Sequence, residues 1–217
     1  MPILLKRIDE LTRGQYYYLA PDDACFFWRE YTSGRGFSYN DSNQLLSNFK
    51  KSMDRRGRPE FRHKIRAIRS LTREFGEALR LPSDSYRAAL FVPIPPSKAK
   101  NDPLYDDRVM DVLRPHANNG HINVAELISQ ITSTEAAHKS ENRLKPDQRK
   151  SMYQVGEIGY EGIDRIVLVD DILTTGCHFR ACKDLLSTKF GLPVEGLFFA
   201  RTVRPTPNFA EMFGDDN

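Results

Sequence analysis

Ile166-Val167-Leu168-Val169-Asp170-Asp171-Ile172-Leu173-Thr174-Thr175-Gly176 is the stretch on which the reading of this chain turns. Ile166 to Val169 form an unbroken run of strand formers, as expected for a strand buried on both faces of a parallel sheet. Two carboxylates close the run. Thr174, Thr175 and Gly176 then turn the chain into His178–Leu186, which reads as an amphipathic helix. In an open α/β sheet, ligands bind where strands end and helices begin. Hydroxyls and backbone N–H groups at a helix N-terminus form a phosphate cradle there. Carboxylates accept hydrogen bonds, which suits them to fixing the hydroxyls of a sugar. If the strand continues through Asp170 and Asp171, the two side chains point to opposite faces. One then holds a ribose, while the other orders the loop or a metal-bound water.

The order of strand, Asp-Asp, two residues, Thr-Thr-Gly and helix resembles the 5-phosphoribosyl-1-diphosphate (PRPP) motif of type I phosphoribosyltransferases. A second resemblance is to the competence-F-like branch of that family, in which a strand ending Val-Pro-x-Pro precedes a short basic loop. Here the match is Val92-Pro93-Ile94-Pro95, followed by Pro96, Ser97, Lys98 and Lys100. The branch's Arg-Gly-Phe-Asn-Gln run is absent, and Leu104-Tyr105-Asp106-Asp107-Arg108 stands in its place, with Arg108 as the remaining cation. The resemblance implies an α/β fold, a parallel sheet flanked by helices with an N-terminal hood, and transfer of a phosphoribosyl group from PRPP to a nitrogenous base. It implies Mg²⁺ held by diphosphate and ribose oxygens and water, with no direct protein ligand. Asp170, Asp171, Leu173, Thr174, Thr175, Gly176, Cys177 and His178 would bind the ribose and its 5-phosphate. Pro96, Ser97, Lys98 and Arg108 would take the diphosphate.

The family also has a mobile loop that closes over the diphosphate, shielding an oxocarbenium-like centre from water. Thr132 to Lys150 lies where that loop belongs, is polar and basic, and is long for a structureless connection. Lys139 and Arg149 are its candidates for stabilising the leaving diphosphate. The bland alternative is a basic surface loop. Cys177 and His178 replace the small residue and threonine that usually follow Thr-Thr-Gly. His178 could donate to a phosphate, with a bound anion favouring its charged form. Cys177 is read first as a small packing residue and second as a thiol activated by the helix end.

Composition narrows the alternatives. With 217 residues the chain can bury one core, or a core with a small appendage. No stretch approaches the roughly 20 apolar residues of a membrane span, so no membrane partner is expected. Met1 to Arg7 contain no signal-peptide core, and Cys25, Cys177 and Cys182 lack the spacing of a zinc site or a disulfide framework. A cytoplasmic location is the expectation. The net charge of +3 does not itself imply nucleic acid, but basic residues gather between Lys50 and Arg80. That segment is either a solvated helix face or a surface for nucleic acid or an acidic partner. A non-catalytic PRPP or nucleotide sensor that binds a partner or nucleic acid through it is the second functional reading, and a homodimer is among the candidate assemblies.

Along the chain, Gln15–Leu19 and Cys25–Tyr31 flank a turn and predict a hairpin. Its aromatics either line a ligand pocket or fill a small core of their own. Asp41 or Ser42 is expected to cap a helix through Lys50. Phe61, Ile65, Ile68, Leu71, Phe75 and Leu79 recur at helical spacing and mark a buried face. A helix over Tyr105–Leu113 should stop at Pro115, and Ile122–Ile128 reads as a strand. His116 and His121 read as surface or turn residues. Val194–Thr202 is a further core strand, putting Arg201 at the active rim, against the acceptor base or a rim carboxylate. Domain boundaries are expected at 1–84 (hood), 85–205 (α/β core) and 206–217 (acidic tail).

Overall fold

The computed structural model describes residues 3–134 and 144–204. In chain order these form β1 (Lys6–Arg7), α1 (Glu10–Arg13), β2 (Cys25–Thr32), α2 (Asp41–Phe49), α3 (Arg62–Leu79), β3 (Ala89–Pro93) and α4 (Arg108–Asn118). There follow β4 (Asn123–Val124), β5 (Ile128–Gln130), α5 (Pro146–Lys150), β6 (Tyr153–Val155), β7 (Arg165–Leu173), α6 (Cys177–Phe190) and β8 (Val194–Val203). The main sheet has the order β1-β2-β8-β7-β3-β4, and β5 pairs with β6 in a separate ribbon. Every neighbouring pair from β2 to β4 is parallel, and only β1 runs antiparallel. The fold is α/β with a mostly parallel sheet flanked by helices.

Side chains alternate across the sheet, as the pleat requires. Trp28, Phe91, Val167, Val169, Leu197 and Phe199 point toward α2, α3 and α4. Phe27, Leu90, Ile166, Leu168 and Phe198 point the other way, toward α6 and the N-terminal segment. Gly196 permits this second packing, because a Cβ there would lie 2.8 Å from Phe198 and 2.9 Å from Phe179.

The connections leaving β3 and β7 run in opposite directions. β3 leads through α4 to β4 on one side, while β7 leads through α6 to β8 on the other. The adjacent strands β3 and β7 therefore form the switch point of the sheet, and a crevice belongs outside their carboxyl ends.

Several expectations change. Cys25–Thr32 is no hairpin arm: it joins the main sheet beside β8, and Gln15–Leu19 forms turns. A strand so rich in aromatics finds a better partner in an open parallel edge than in a short local ribbon, so the sheet crosses the boundary expected at residue 84. Its aromatics serve the main core, as Trp28 shows by packing against Phe75 and Phe199. Asn40, rather than Asp41 or Ser42, caps α2, accepting from the Asn43 N–H at 2.8 Å. Ile122–Ile128 divides between the edge strand β4 and the ribbon strand β5. Pro115 lies within α4, near its end, where burial of Val112 and Leu113 outweighs one lost backbone bond. His116 is no surface residue: it packs against Phe75, and its Nε2 meets the Thr72 carbonyl at 2.9 Å.

Candidate functional site

The end of β7 is the centre of the site. Pairing with β3 stops at Val169 opposite Pro93, whereas pairing with β8 continues to Leu173 opposite Arg201. Asp170 to Leu173 thus extend past the end of β3 into the rim. Because the strand continues through them, Asp170 shares a face with Leu168 and α6, and Asp171 shares a face with Val169 and α2–α4.

Asp171 is buried and fully engaged. Its Oδ2 accepts from Arg108 Nη2 at 2.6 Å and Nε at 3.0 Å, and its Oδ1 from Lys50 Nζ at 3.4 Å. Arg108 also donates to Asp106 at 2.9 Å. Lys64, 2 % exposed, donates to Asp106 at 2.8 Å and to the Phe49 carbonyl at 2.7 Å. Burial by itself would raise the Asp171 carboxyl, but Lys50 and Arg108 outweigh it and hold it far below the usual carboxylate range. Burial lowers Lys64, with Asp106 opposing. The cluster holds three cations, Lys50, Lys64 and Arg108, against two carboxylates, Asp106 and Asp171, and so carries a surplus positive charge.

Asp170 has the opposite environment. Among the described residues its only side-chain hydrogen bond is from the Asp171 N–H, at 2.7 Å. Burial, and then the charge of Asp171, push its carboxyl up to about 7. Near Tyr153 and Cys182, which Asp170 also neighbours, lies Arg149, 7 % exposed, with Nε lacking a hydrogen-bond partner and no ion pair among the described residues. A buried guanidinium without a carboxylate is costly unless an anion approaches it. Arg149 is beside Cys177, Tyr153 and His178, at the N-terminal end of α6.

Burial, and then Arg149, push His178 down to about 3. His178 is therefore neutral, near the Tyr153 hydroxyl at 3.4 Å from Nδ1, and the expected cationic role falls to Arg149. Burial raises the Cys177 thiol instead of activating it, and its Sγ donates to the Leu144 carbonyl at 3.1 Å. Cys177 is a packing residue.

The Thr174–Gly176 turn is held from outside. Gly176 has φ +80°, which favours glycine, and a Cβ on it would also press on the Leu19 side chain at 2.9 Å. Tyr18 N–H donates to the Thr175 carbonyl at 2.9 Å, and Arg180 Nε to the Tyr18 carbonyl at 3.2 Å. Asp23 closes this clamp. It is 1 % exposed, pairs with Arg180 and with Lys183 at 2.6 Å, and accepts from the Ala20 N–H at 2.7 Å. Sequence reading passed over Asp23, Lys50 and Lys64, since nothing in a linear pattern separates an inward charge from a solvated one. The only available signal was the helical spacing of Lys64 with Ala67 and Leu71.

The other rim residues are more loosely placed. Ser97 and Pro96 follow β3, and the Ser97 carbonyl accepts from the Thr134 N–H at 2.7 Å. Lys98 lies 3.8 Å from Asp102, and Lys100 pairs with Glu126 at 2.9 Å. Leu173 is buried in the core, so only its backbone faces the rim. Arg201 pairs with the rim carboxylate Glu30 at 2.8 Å and stacks over Phe27 at 4.8 Å. Lys139, in the expected closing loop, and the tail from residue 205 lie outside the described residues. Among the described residues no three His, Cys, Asp or Glu side chains gather as a metal site, and no helix is long and apolar enough to cross a membrane.

The two acids predict a pH dependence of stability. Burial and the charge of Asp171 hold the Asp170 carboxyl above its free value of 3.8, pushed up to about 7. Between those values the folded chain keeps a proton that the unfolded chain has released, so stability falls as pH rises from about 4 to about 7. Asp171 acts oppositely, losing its contribution as pH falls below about 4. Asp170→Asn should flatten the decline, read as urea midpoints at about pH 5 and about pH 7.5. An unchanged decline would mean that Asp170 is ionised in the fold.

No protein-family model matches this chain, and a search of the curated proteins finds no match for it.

Proposed function

We propose that the chain is a phosphoribosyltransferase that uses PRPP with Mg²⁺ to transfer a phosphoribosyl group to a nitrogenous base, releasing diphosphate. The observation that carries this reading is that the uncommitted Asp170 carboxyl and buried Arg149 both lie at the switch point near Tyr153, beside the α6 N-terminus. A sugar phosphate has the complementary parts. Its phosphate meets the hydroxyls of Thr174 and Thr175, the first N–H groups of α6 and the Arg149 guanidinium. Its ribose hydroxyls donate to Asp170. Asp171 holds Arg108 toward the β3 loop, where diphosphate departs past Ser97 and Lys98.

Mg²⁺ fits this arrangement as a passenger on the diphosphate, because Asp171 is already neutralised by two cations and Asp170 stands alone. It would screen the leaving group's charge. Catalysis by the protein is then positioning and charge stabilisation.

A sensor without turnover is the second reading, favoured by one observation: Arg108 and Asp171 satisfy each other, and Lys98 and Lys100 face carboxylates. Calorimetric titration of PRPP with Mg²⁺ into wild type, Asp170→Asn and Arg149→Met tests both readings. Binding by wild type, weakened about tenfold or more in each variant, is expected from the loss of one charged hydrogen bond. No binding to folded wild type would sink both. Diphosphate release on adding purine, pyrimidine or nicotinate-type bases selects the enzyme; binding without release selects the sensor.

A further inference from the structure

The outer side of α3 is a second feature, independent of the PRPP reading. Arg62, Arg66, Arg69 and Arg73 are exposed, and their spacing of four, three and four residues places them in one line along the helix. The line is about 16 Å long at 1.5 Å per residue. It lies opposite the face that buries Ala67, Leu71, Phe75 and Ala78 against the core. Before the helix, Arg58 lies beside Arg62 at the head of the line, and Arg56 is exposed.

The segment's acidic residues leave most of this line without a counter-charge. Glu74 turns inward, where it holds Arg29 at 2.6 Å and the Trp28 indole at 3.1 Å. Asp54 and Glu60 face Arg55, each at 3.8 Å, and Glu77 faces Arg73 at 3.6 Å. Lys50 and Lys64 are drawn into the rim cluster. Arg56, Arg58, Arg62, Arg66 and Arg69 thus form no ion pair among the described residues, although the whole chain carries only +3. A helix face that serves solubility alone mixes both signs; here the charges from Arg62 to Arg69 are arginine alone, and Glu77 meets the line only at its end, at Arg73. Arginine is the side chain suited to bidentate contact with phosphate.

At the head of the line is a shallow hollow of about 430 Å³. Arg58 and Arg62 flank it, and Gly57, Pro59, Phe61 and Ile65 give it an apolar floor. Ile65 is 44 % exposed, a surface that the fold itself leaves uncovered. Cations in a row beside an apolar hollow match a strand whose phosphates run along one side and whose bases are free to turn inward. A duplex keeps its bases stacked and an acidic peptide has none.

We propose that the α3 arginine line and the hollow at its head form a docking surface for single-stranded nucleic acid, with the phosphate backbone along Arg62–Arg73 and a base against Phe61 and Ile65.

Fluorescence anisotropy with labelled oligo(dT) and oligo(U) of about 15 nucleotides, a length within the range of known single-strand sites, tests this. The variants are Arg62→Glu/Arg66→Glu/Arg69→Glu, Ile65→Ser, and Lys189→Glu on α6 as a charge control on the opposite face. The three arginine side chains form no hydrogen bond or ion pair among the described residues, so the triple variant should keep a thermal midpoint close to wild type. Wild type is expected to bind, with log Kd rising with log salt. The triple variant should weaken binding at least tenfold and lower the salt slope by about 2. Ile65→Ser should weaken binding without changing the slope, and Lys189→Glu should change neither. Relative affinity for the two oligonucleotides identifies which nucleic acid the surface prefers. Equal binding by the triple variant, tighter binding of the matching duplex, or equal competition by polyglutamate would each overturn the proposal.

Discussion

Asp23→Asn is expected to destabilise the protein by about 3 kcal/mol, the magnitude seen when one partner of a buried ion pair is removed. The carboxylate is 1 % exposed and serves Arg180, Lys183 and the Ala20 N–H together. Asparagine keeps the shape but removes the charge, leaving two cations of which neither side chain is more than 21 % exposed. In a chain of this size the loss corresponds to roughly 10 °C in thermal midpoint. The same contacts seat Tyr18 and Leu19 on the Thr175–Gly176 turn, so the loss should extend to the rim. Faster amide exchange at Thr175 and Gly176 in the folded variant is the second expected outcome. A midpoint within about 2 °C of wild type would mean that the clamp contributes little net energy.

The second large effect separates two neighbouring acids. Asp171→Asn should cost about 3 kcal/mol, because Lys50 loses its counter-charge and Arg108 keeps only Asp106, which it must share with Lys64. Lys50, 37 % exposed, can turn toward water, and Arg108, 19 % exposed, cannot do so without disturbing the start of α4. Asp170→Asn, one residue away, should be neutral or stabilising at pH 7.5, since it removes a half-buried carboxyl that resists ionisation. Denaturant unfolding of both variants checks the contrast. The double variant Arg108→Met/Asp171→Leu should recover much of the lost stability, as apolar replacements of buried pairs commonly do. Equal losses for the two single variants would show that the acids share one network.

The contrast bears on the proposed chemistry. If Asp171 is an anchor and Asp170 is the open acceptor, ligand binding should weaken in Asp170→Asn at unchanged stability. In Asp171→Asn both should fall together.

Much of the fold was legible in local pattern. The apolar run Ile166–Val169, the glycine at 176 and the following helix mark β7 and α6, because a buried parallel strand and a left-handed turn each demand particular residue types. The two-residue period likewise placed Asp170 and Asp171 on opposite faces in advance. Long-range pairing was not legible. Cys25–Thr32 has the composition of any half-buried strand, and only the open edge of β8, reached across most of the chain, decides its partner.

The buried face of α3 illustrates the same division. Counting only apolar residues puts Ile65 inward and Lys64 and Glu74 outward, whereas Ile65 is 44 % exposed and the two charged residues are buried. Their burial depends on Asp106 and Phe49 for Lys64, and on Arg29 and Trp28 for Glu74. Each partner sits on another element, and no local spacing encodes it. The sequence by itself therefore determined the strand, the turn and the acidic pair, whose physical demands are met within a few residues. Tertiary structure alone decided which charges are inside, how Asp171 is neutralised and why Asp170 is not. A buried charge is tolerated only when distant parts of the chain bring its counter-charge or hydrogen-bond partners to it.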